Sequence, residues 1–332
     1  MTKTRSTGKI ITMKIHFSNQ GMLRNFENFL ESADLSKPSE LHISTNPKWI
    51  NVHPAILVMT AALARKAGRL NSTIDTPPKS GAYLDRMGLY SYLKTPSPFS
   101  ITHKDESGRF IPISVISTPQ EQSAFISDMI PLLHLPEEKS RVIKYVIGEL
   151  VRNVIEHSLS SDGAIVAAQY YKKSNRISIG ICDSGIGIWK SMQEYWHPAT
   201  DIDAIKLALT PGISGTTRQE GGTDDNAGAG LFFIKSIAKI SRSYFLIYSG
   251  KGEYKLTKHD RRTKTPRLYA DPTRDPHREI NTAPDFQGTL VAIDISLDNN
   301  EAFDALLEMI SLVYDNAIRE RKRAKYREPR FI

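Results

Sequence analysis

Two polar side chains share one face of a predicted helix in the stretch VIGELVRNVIEHS, residues 146–158. Apolar residues recur there every four positions, which is typical of a helix packed against a core. Glu149 and Asn153 also lie four positions apart, so their side chains would project together from a neighbouring face. Directed inward, a carboxylate and a carboxamide would need a polar partner or a ligand. Directed outward, they would simply face water.

A second set of residues follows the end of a predicted strand. Asp183 closes an alternating strand that begins at Arg176, and Gly185 and Gly187 come next in the stretch CDSGIGI. Glycines at such a point let the backbone approach a ligand closely and adopt φ values that other residues avoid. By itself the pattern indicates an ordinary tight turn equally well.

Two further glycine motifs stand at the start of predicted elements. GAGL, from Gly228 through Gly230 to Leu231, opens a helical stretch. Free N–H groups at a helix start attract phosphate, and glycines remove the side chains that would block it. In FQGTLVAI, Gly288 and Thr289 begin a late strand, where a small residue and a hydroxyl could touch a bound base. Each motif alone is also consistent with a turn.

The order of these four motifs along the chain is more specific than any one of them. Together they resemble the Bergerat-fold ATPases, the superfamily of gyrase, the ninety-kilodalton heat-shock chaperones, histidine kinases and mismatch-repair ATPases. ELVRNVIEHS resembles the N box, DSGIGI the first glycine box, GAGL the second, and the Gly-Thr pair the third. The resemblance covers roughly residues 131–297.

This resemblance implies a role for each motif with ATP and Mg²⁺ as cofactors. Asn153 would bind Mg²⁺ through its side-chain oxygen, and Glu149 would be the catalytic residue that polarises the attacking water or nucleophile. Asp183 would accept a hydrogen from the adenine amino group. The other expected nucleotide contacts are Gly185, Gly187, Gly228, Gly230, Leu231 and Thr289.

The glycine-rich, polar stretch TPGISGTTRQEGGTDDNAGAG, residues 210–230, would be the mobile ATP lid. Lys235 and Arg218 could reach phosphates, although exposure to solvent is an equally good expectation for each. His157 and Cys182 are expected to be structural.

The elements that must position these residues divide into two predicted domains, an α/β (α+β) organisation. Strand and helix signals alternate through residues 1–93, which predicts a small α/β layer domain that resembles STAS domains. The STAS phosphoacceptor is a serine or threonine just before a long helix, but KWINVHPAIL has no hydroxyl there. We therefore expect a docking or regulatory module.

A turn-rich linker is predicted over residues 94–120, followed by a Bergerat-fold sandwich over 121–318 and a basic tail over 319–332. Strands paired by hairpins, with helices elsewhere, predict a mixed, largely antiparallel sheet covered on one face in the second domain.

The layout before the N box decides which kind of Bergerat protein we expect. His134 lies beside a proline and outside any long helix, which disfavours a sensor histidine kinase. The compact layout is closer to the anti-sigma-factor serine kinases. We expect an ATP-binding regulatory switch with slow hydrolysis or phosphoryl transfer to a protein partner, and many such proteins form homodimers when ATP binds. A nucleotide-binding scaffold without turnover is a third hypothesis.

Charge supports one alternative from another class. The chain carries a net charge of +8, and residues 319–330 hold seven basic and two acidic side chains. A second basic stretch, KLTKHDRRTKTPRLY, spans residues 255–269. Such segments could make an ATP-gated nucleic-acid-binding module, or they could simply be solvated.

Composition excludes several other classes. The single cysteine, Cys182, excludes an internal disulfide and a cysteine-rich metal site. No run of about eighteen apolar residues is present, so we expect no membrane span. The basic N-terminus lacks the apolar core of a signal peptide, and we therefore expect a cytoplasmic protein.

Overall fold

The fold is known from a computed structural model that describes residues 12–35, 39–100, 110–128, 130–217, 228–257, 267–298 and 303–327. Within these ranges the chain is a mixed α/β protein with two sheets, which confirms the predicted class. The strands are β1 Thr12–Phe17, β2 Glu40–Thr45, β3 Ser72–Ile74, β4 Phe110–Ile116, β5 Ala164–Tyr171, β6 Arg176–Asp183, β7 Phe245–Gly250, β8 Gly252–Leu256, β9 His277–Ile280 and β10 Phe286–Ser296. The helices are α1 Phe26–Glu31, α2 Pro54–Ala67, α3 Ala82–Arg86, α4 Leu89–Leu93, α5 Pro119–Asp128, α6 Glu137–His157, α7 Gly187–Gln193, α8 Asp201–Ala208, α9 Gly230–Ile240 and α10 Phe303–Arg327.

The N-terminal unit is built on a small parallel sheet in which β2 pairs with β1 and with β3. The stretch HPAILVMTAALARKAG, residues 53–68, predicts a helix, and α2 confirms it: Pro54 occupies its first turn and Gly68 ends it with a positive φ of 80°. The stretch GAYLDRMGLYSYL, residues 81–93, predicts another helix but forms two short ones, α3 and α4. Gly88, with a φ of 76°, separates them.

The second sheet has seven strands in the order β4-β5-β6-β10-β7-β8-β9, and every ladder in it is antiparallel. This confirms the predicted largely antiparallel sheet. Within the predicted linker over 94–120, the stretch RFIPISVI indicates one extended strand, and β4 confirms it: the strand hydrogen-bonds along β5 and buries Ile111 and Ile116 in the core.

Both faces of the large sheet are covered, which corrects the expectation of one covered face. Ile179 and Ile181 of β6 pack in the core that includes α6 and α9, whereas Cys182 packs in the core that includes α2. The physical reason lies in strands such as β5, whose residues Ile165 and Val166 point to opposite faces and are both buried. The N-terminal unit is therefore packed directly on the sheet.

A buried histidine fastens α2 to this sheet. His53 caps the helix, since the N–H of Ala55 donates to its Nδ1 at 3.0 Å. That leaves Nε2 to carry the proton toward Asp294 Oδ1, 3.3 Å away. Burial alone would raise the pKa of Asp294, but His53, Ser178 and Arg176 together bring it below its ordinary value.

Close packing of α2 makes Gly180 a sensitive position. A Cβ at Gly180 would lie 2.5 Å from the backbone nitrogen of Ala55, so either the helix or the strand must shift. We expect Gly180→Ala to lower the free energy of unfolding by about 1–3 kcal/mol. Urea denaturation measures this change.

Gly148→Ala is the matched control for that prediction. A Cβ at Gly148 would meet Ile126 at an ordinary 3.7 Å, and the residue lies inside α6. We expect this variant to gain about 0.5–1 kcal/mol, since alanine favours the helix. Equal effects of the two substitutions would show that α2 does not press on β6.

Several elements depart from the predicted pattern. The polar region after Ser184, for which no element was predicted, contains α7 and α8, and β9 was not predicted. Helix α10 continues without a break to Arg327, so the described part of the predicted basic tail is helical. In the part of the chain described here, no helix has the length and apolar character needed to cross a membrane.

Candidate functional site

Helix α6 places the first two predicted site residues on one side. It buries its apolar face in the sheet core and leaves Glu149 and Asn153 beside a cavity. Burial raises the pKa of Glu149; the Arg152 guanidinium, 3.0 Å from Oε1, opposes that rise, and Glu156 adds to it. The amide nitrogen of Asn153 is buried and has no hydrogen-bond partner among the described residues.

Asp183 stands at the end of β6, directly opposite Thr289 of β10. Its side chain is almost fully buried, and Oδ1 accepts a hydrogen bond from the N–H of Gly185 at 2.7 Å. Burial raises the pKa of Asp183 to about 6, although the N–H groups of Gly185 and Thr289 act in the opposite direction. The carboxylate is therefore ionised at neutral pH despite its apolar surroundings.

The two glycines after Asp183 have different surroundings. Gly187 lines the cavity with a φ of 76°. Gly185, predicted as a nucleotide contact, does not line it. A Cβ there would lie 2.1 Å from the carbonyl oxygen of Ser158, so this glycine allows the turn to pack on the end of α6.

A serine that the sequence reasoning missed holds this end of the site together. The hydroxyl of Ser249 on β7 donates to the carbonyl of Gly288 at 2.8 Å and accepts from the N–H of Ile188 at 3.0 Å. Gly288 has a φ of 120° at a β-bulge, and a Cβ there would lie 2.1 Å from the carbonyl oxygen of Asp183. A single serine in an apolar strand carries no recognisable signal in the sequence.

The start of α9 lies against the side chains of α6. A Cβ at Gly230 would be 2.9 Å from Glu149 Oε2 and 3.5 Å from Asn153 Nδ2, so only a small residue fits without displacing them. The first N–H groups of α9 have no partner within the helix and are directed out of its N-terminal end. This end can therefore receive an anion.

Part of the predicted lid closes on itself near α9. The N–H of Gly212 donates to the carbonyl of Gly228 at 3.2 Å, which brings the two ends of the segment together. Residues 218–227, Arg218 among them, lie outside the described residues.

One cavity of about 360 Å³ collects these residues. Of the nine predicted site residues, eight line it, and only Gly185 does not: Glu149, Asn153, Asp183, Gly187, Gly228, Gly230, Leu231 and Thr289. Ile181 and Val291 add apolar surface beside Asp183, and Ser191 and Ser214 add hydroxyls from α7 and the start of the lid. The volume is within the range of about 300–1,000 Å³ that is usual for small-molecule sites.

Comparison with protein-family models found no match for this chain. A search of curated proteins also found no match. The residues that line the cavity form two chemical groups. Asp183 and Thr289 offer a carboxylate and a hydroxyl beside apolar walls, and Glu149 and Asn153 lie at the N-terminal end of α9.

Lys235 and His157, two further residues considered from the sequence, have different positions relative to the cavity. Lys235 is buried, pairs with Asp275 and does not line the cavity. His157 lines the cavity, and burial lowers its pKa while Glu156 acts in the opposite direction.

Proposed function

We propose that the chain binds Mg²⁺-ATP in this cavity and acts as a regulatory switch of the Bergerat type. The observation that carries the proposal is the convergence of the four motifs. Residues from 149 to 289, which the resemblance assigned in four separate segments, line one cavity of suitable volume. Four unrelated motifs would have no reason to meet at one place.

The group around Asp183 suits a purine base. Its buried carboxylate can accept a hydrogen from an exocyclic amino group, and the Thr289 hydroxyl lies on the neighbouring strand. Ile181 and Val291 provide apolar surface for a flat ring. A few polar groups among apolar walls are the usual composition of a cofactor site.

The group around Asn153 suits the phosphates and their cation. Bound Mg²⁺-ATP would supply the transferable phosphoryl group and the positive charge that offsets the phosphates. The N–H groups at the start of α9 would bind phosphate oxygens, and Gly230 leaves room for them. Asn153 would hold the cation through its side-chain oxygen, and its buried amide nitrogen, which has no partner among the described residues, would donate to a phosphate oxygen. Glu149 would accept a proton from the attacking nucleophile.

The N-terminal unit, which we regard as STAS-like, would carry the regulatory response. Helix α2 packs on β6 and β10, and the opposite face of the same strands carries Asp183 and Thr289. A change around the nucleotide can thus reach α2 through two strands. Slow hydrolysis or transfer to a protein partner, homodimer formation on ATP binding and a cytoplasmic location belong to the same proposal.

Calorimetry with ATP, in the presence and absence of Mg²⁺, tests the proposal directly. We expect the full chain to bind Mg²⁺-ATP saturably, and Asn153→Ala to weaken binding by about tenfold to a hundredfold, as the loss of an interaction with a charged group does. Asn28→Ala, at an exposed position of α1, is the control and should leave affinity unchanged. Absence of saturable ATP binding by the unaltered chain would refute the proposal.

The raised pKa of Asp183 makes a separate prediction about pH. The ionised form accepts a hydrogen bond, so affinity should fall as pH drops through about 6, the value to which burial raises this pKa. Between pH 7 and pH 5 the ionised fraction falls about tenfold, and the affinity of that contact falls with it. Asp183→Asn should bind ATP more weakly than the unaltered chain at pH 7, but its affinity should not show this fall between pH 7 and pH 5. A comparison of the two proteins by calorimetry removes the titration of ATP itself, and identical pH profiles would contradict the assigned role.

A further inference from the structure

A second cavity lies at the opposite end of β5 from the proposed nucleotide site. Its volume is about 350 Å³, and it shares no lining residue with the first cavity. The N-terminal unit provides one side through the segment before α2 and through α3. The large sheet provides the other through Phe110 and Tyr171.

The charges around this second cavity have one sign. Lys79 and Arg86 line it, and no acidic side chain does. Both cations are exposed, and neither forms an ion pair with any residue in the described ranges. Unpaired cations at the rim of a concave, low-dielectric surface attract anions.

Aromatic side chains form the rest of the wall. Trp49 is 59% exposed, although burying its large apolar ring would stabilise the protein. Tyr83, Phe110 and Tyr171 lie around the same space. The second cavity therefore combines four aromatic side chains with two cations.

A tyrosine hydroxyl adds an independent observation. The oxygen of Tyr83 is buried, yet it has no hydrogen-bond partner among the described residues. Burial raises the pKa of Tyr83 well above its ordinary value. Tyr171 adds to that rise and Arg86 opposes it, so this phenol interacts electrostatically with other residues of the cavity. A buried donor without an acceptor is uncommon and marks a place where a ligand oxygen would be stabilised.

We propose that this second cavity binds a planar organic anion. The ring of the ligand would lie against Trp49, and its anionic group would bind Lys79, Arg86 and the Tyr83 hydroxyl. This inference does not depend on nucleotide binding at the first cavity.

Calorimetry of the full chain with naphthalene-2-sulfonate tests the site, because this probe is planar and stays ionised. Naphthalene-2-methanol supplies the ring without the charge, and methanesulfonate supplies the charge without the ring. We expect the first probe to bind saturably and each of the other two to bind at least about tenfold more weakly, because the ring and the charge-assisted hydrogen bonds both contribute to affinity. Quenching of tryptophan fluorescence, which Trp49→Phe should remove, gives a second signal.

Lys79→Gln combined with Arg86→Gln should weaken binding of naphthalene-2-sulfonate by about tenfold or more. Lys66→Gln removes an exposed cation of the same unit away from the cavity and should have no effect. Equal affinity of the double variant and the unaltered chain would overturn the proposal. So would absence of saturable binding, or loss of probe binding in Asp183→Asn, because Asp183 lines only the first cavity and the probe would then be bound there.

Discussion

Asp275→Ala is expected to lower the free energy of unfolding by about 3–5 kcal/mol, the usual cost of removing one partner from a buried ionic group. Asp275 pairs with Lys235 and Lys239 of α9, one lysine on each carboxylate oxygen. All three side chains are at most 3% exposed. Without the carboxylate, two ammonium groups would stay in the interior with no opposite charge.

The contacts around this group explain why water cannot easily replace the carboxylate. Lys235 also donates to the carbonyl of Tyr269 at 3.3 Å, and Lys239 lies over the ring of Tyr269 at 4.3 Å. Burial lowers the pKa of Lys235, and Asp275 opposes that change. Its removal would therefore push the pKa of this lysine further down.

Urea denaturation at two pH values measures the effect and its cause. A lysine with a depressed folded pKa destabilises the protein below that pKa, so the variant should recover stability as pH rises toward the ordinary value for lysine. Asp271→Ala is the control, because Asp271 is exposed, caps the neighbouring turn by accepting from the N–H and the hydroxyl of Thr273, and has only a minor electrostatic effect on Lys235. It should cost about 1 kcal/mol.

Replacing the whole group separates the ionic contribution from packing. Asp275→Leu with Lys235→Met and Lys239→Met removes every charge of this buried group, and such replacements are commonly neutral or stabilising. A triple variant as unstable as Asp275→Ala would show that shape, and not uncompensated charge, determines the loss. The outcome matters for the site, since α9 begins at Gly230 beside Glu149.

Local patterns in the sequence predicted the elements that carry the site. The apolar rhythm of α6, the proline and glycine at the two ends of α2, and the alternating strands β5 and β6 are signals contained in a few neighbouring residues. Such signals do not show which distant segment an element will contact. The strand β4 could be predicted from its own residues, but its pairing with β5 could not. The helical signal over residues 81–93 also missed the break at Gly88, whose φ is positive.

The site itself divides in the same way. Glu149, Asn153 and Asp183 could be selected because their residue types and spacing form a recognisable order. Ser249 could not, because its importance comes from two contacts with chain segments far away in the sequence. Gly185 was recognised as a glycine that a close approach requires, but the sequence could not show that Ser158, and not a ligand, is its neighbour.

The sequence pattern could not predict that both faces of the large sheet are covered, for a related reason. A strand that is apolar on both sides predicts burial but does not identify what buries it. Here the second cover is α2 from the N-terminal unit, fixed by His53 on Asp294. The predicted division at residues 94–120 gave no sign that α2 would pack on β6 and β10.

Glu149→Gln is expected to reduce ATP turnover by about 10²–10⁴-fold while the affinity for ATP stays within a few-fold. Glutamine keeps the shape of the side chain and an acceptor for Arg152, but it cannot take a proton. Product release from labelled ATP measures turnover, and calorimetry measures binding. Because only the ionised carboxylate is a base, the rate should also fall as pH drops through the pKa of Glu149, which burial raises.

Two neighbours of Glu149 turn this prediction into a test of the base itself. Arg152 lowers the pKa of Glu149 and Glu156 raises it, and both line the cavity. Arg152→Gln should therefore move the acidic limb of the pH–rate profile to higher pH, and Glu156→Gln should move it to lower pH. If the acidic limb moves in neither variant, a group other than Glu149 titrates in the pH–rate profile. If Glu149→Gln also turns over ATP at the normal rate, the catalytic assignment fails even though nucleotide binding would stand.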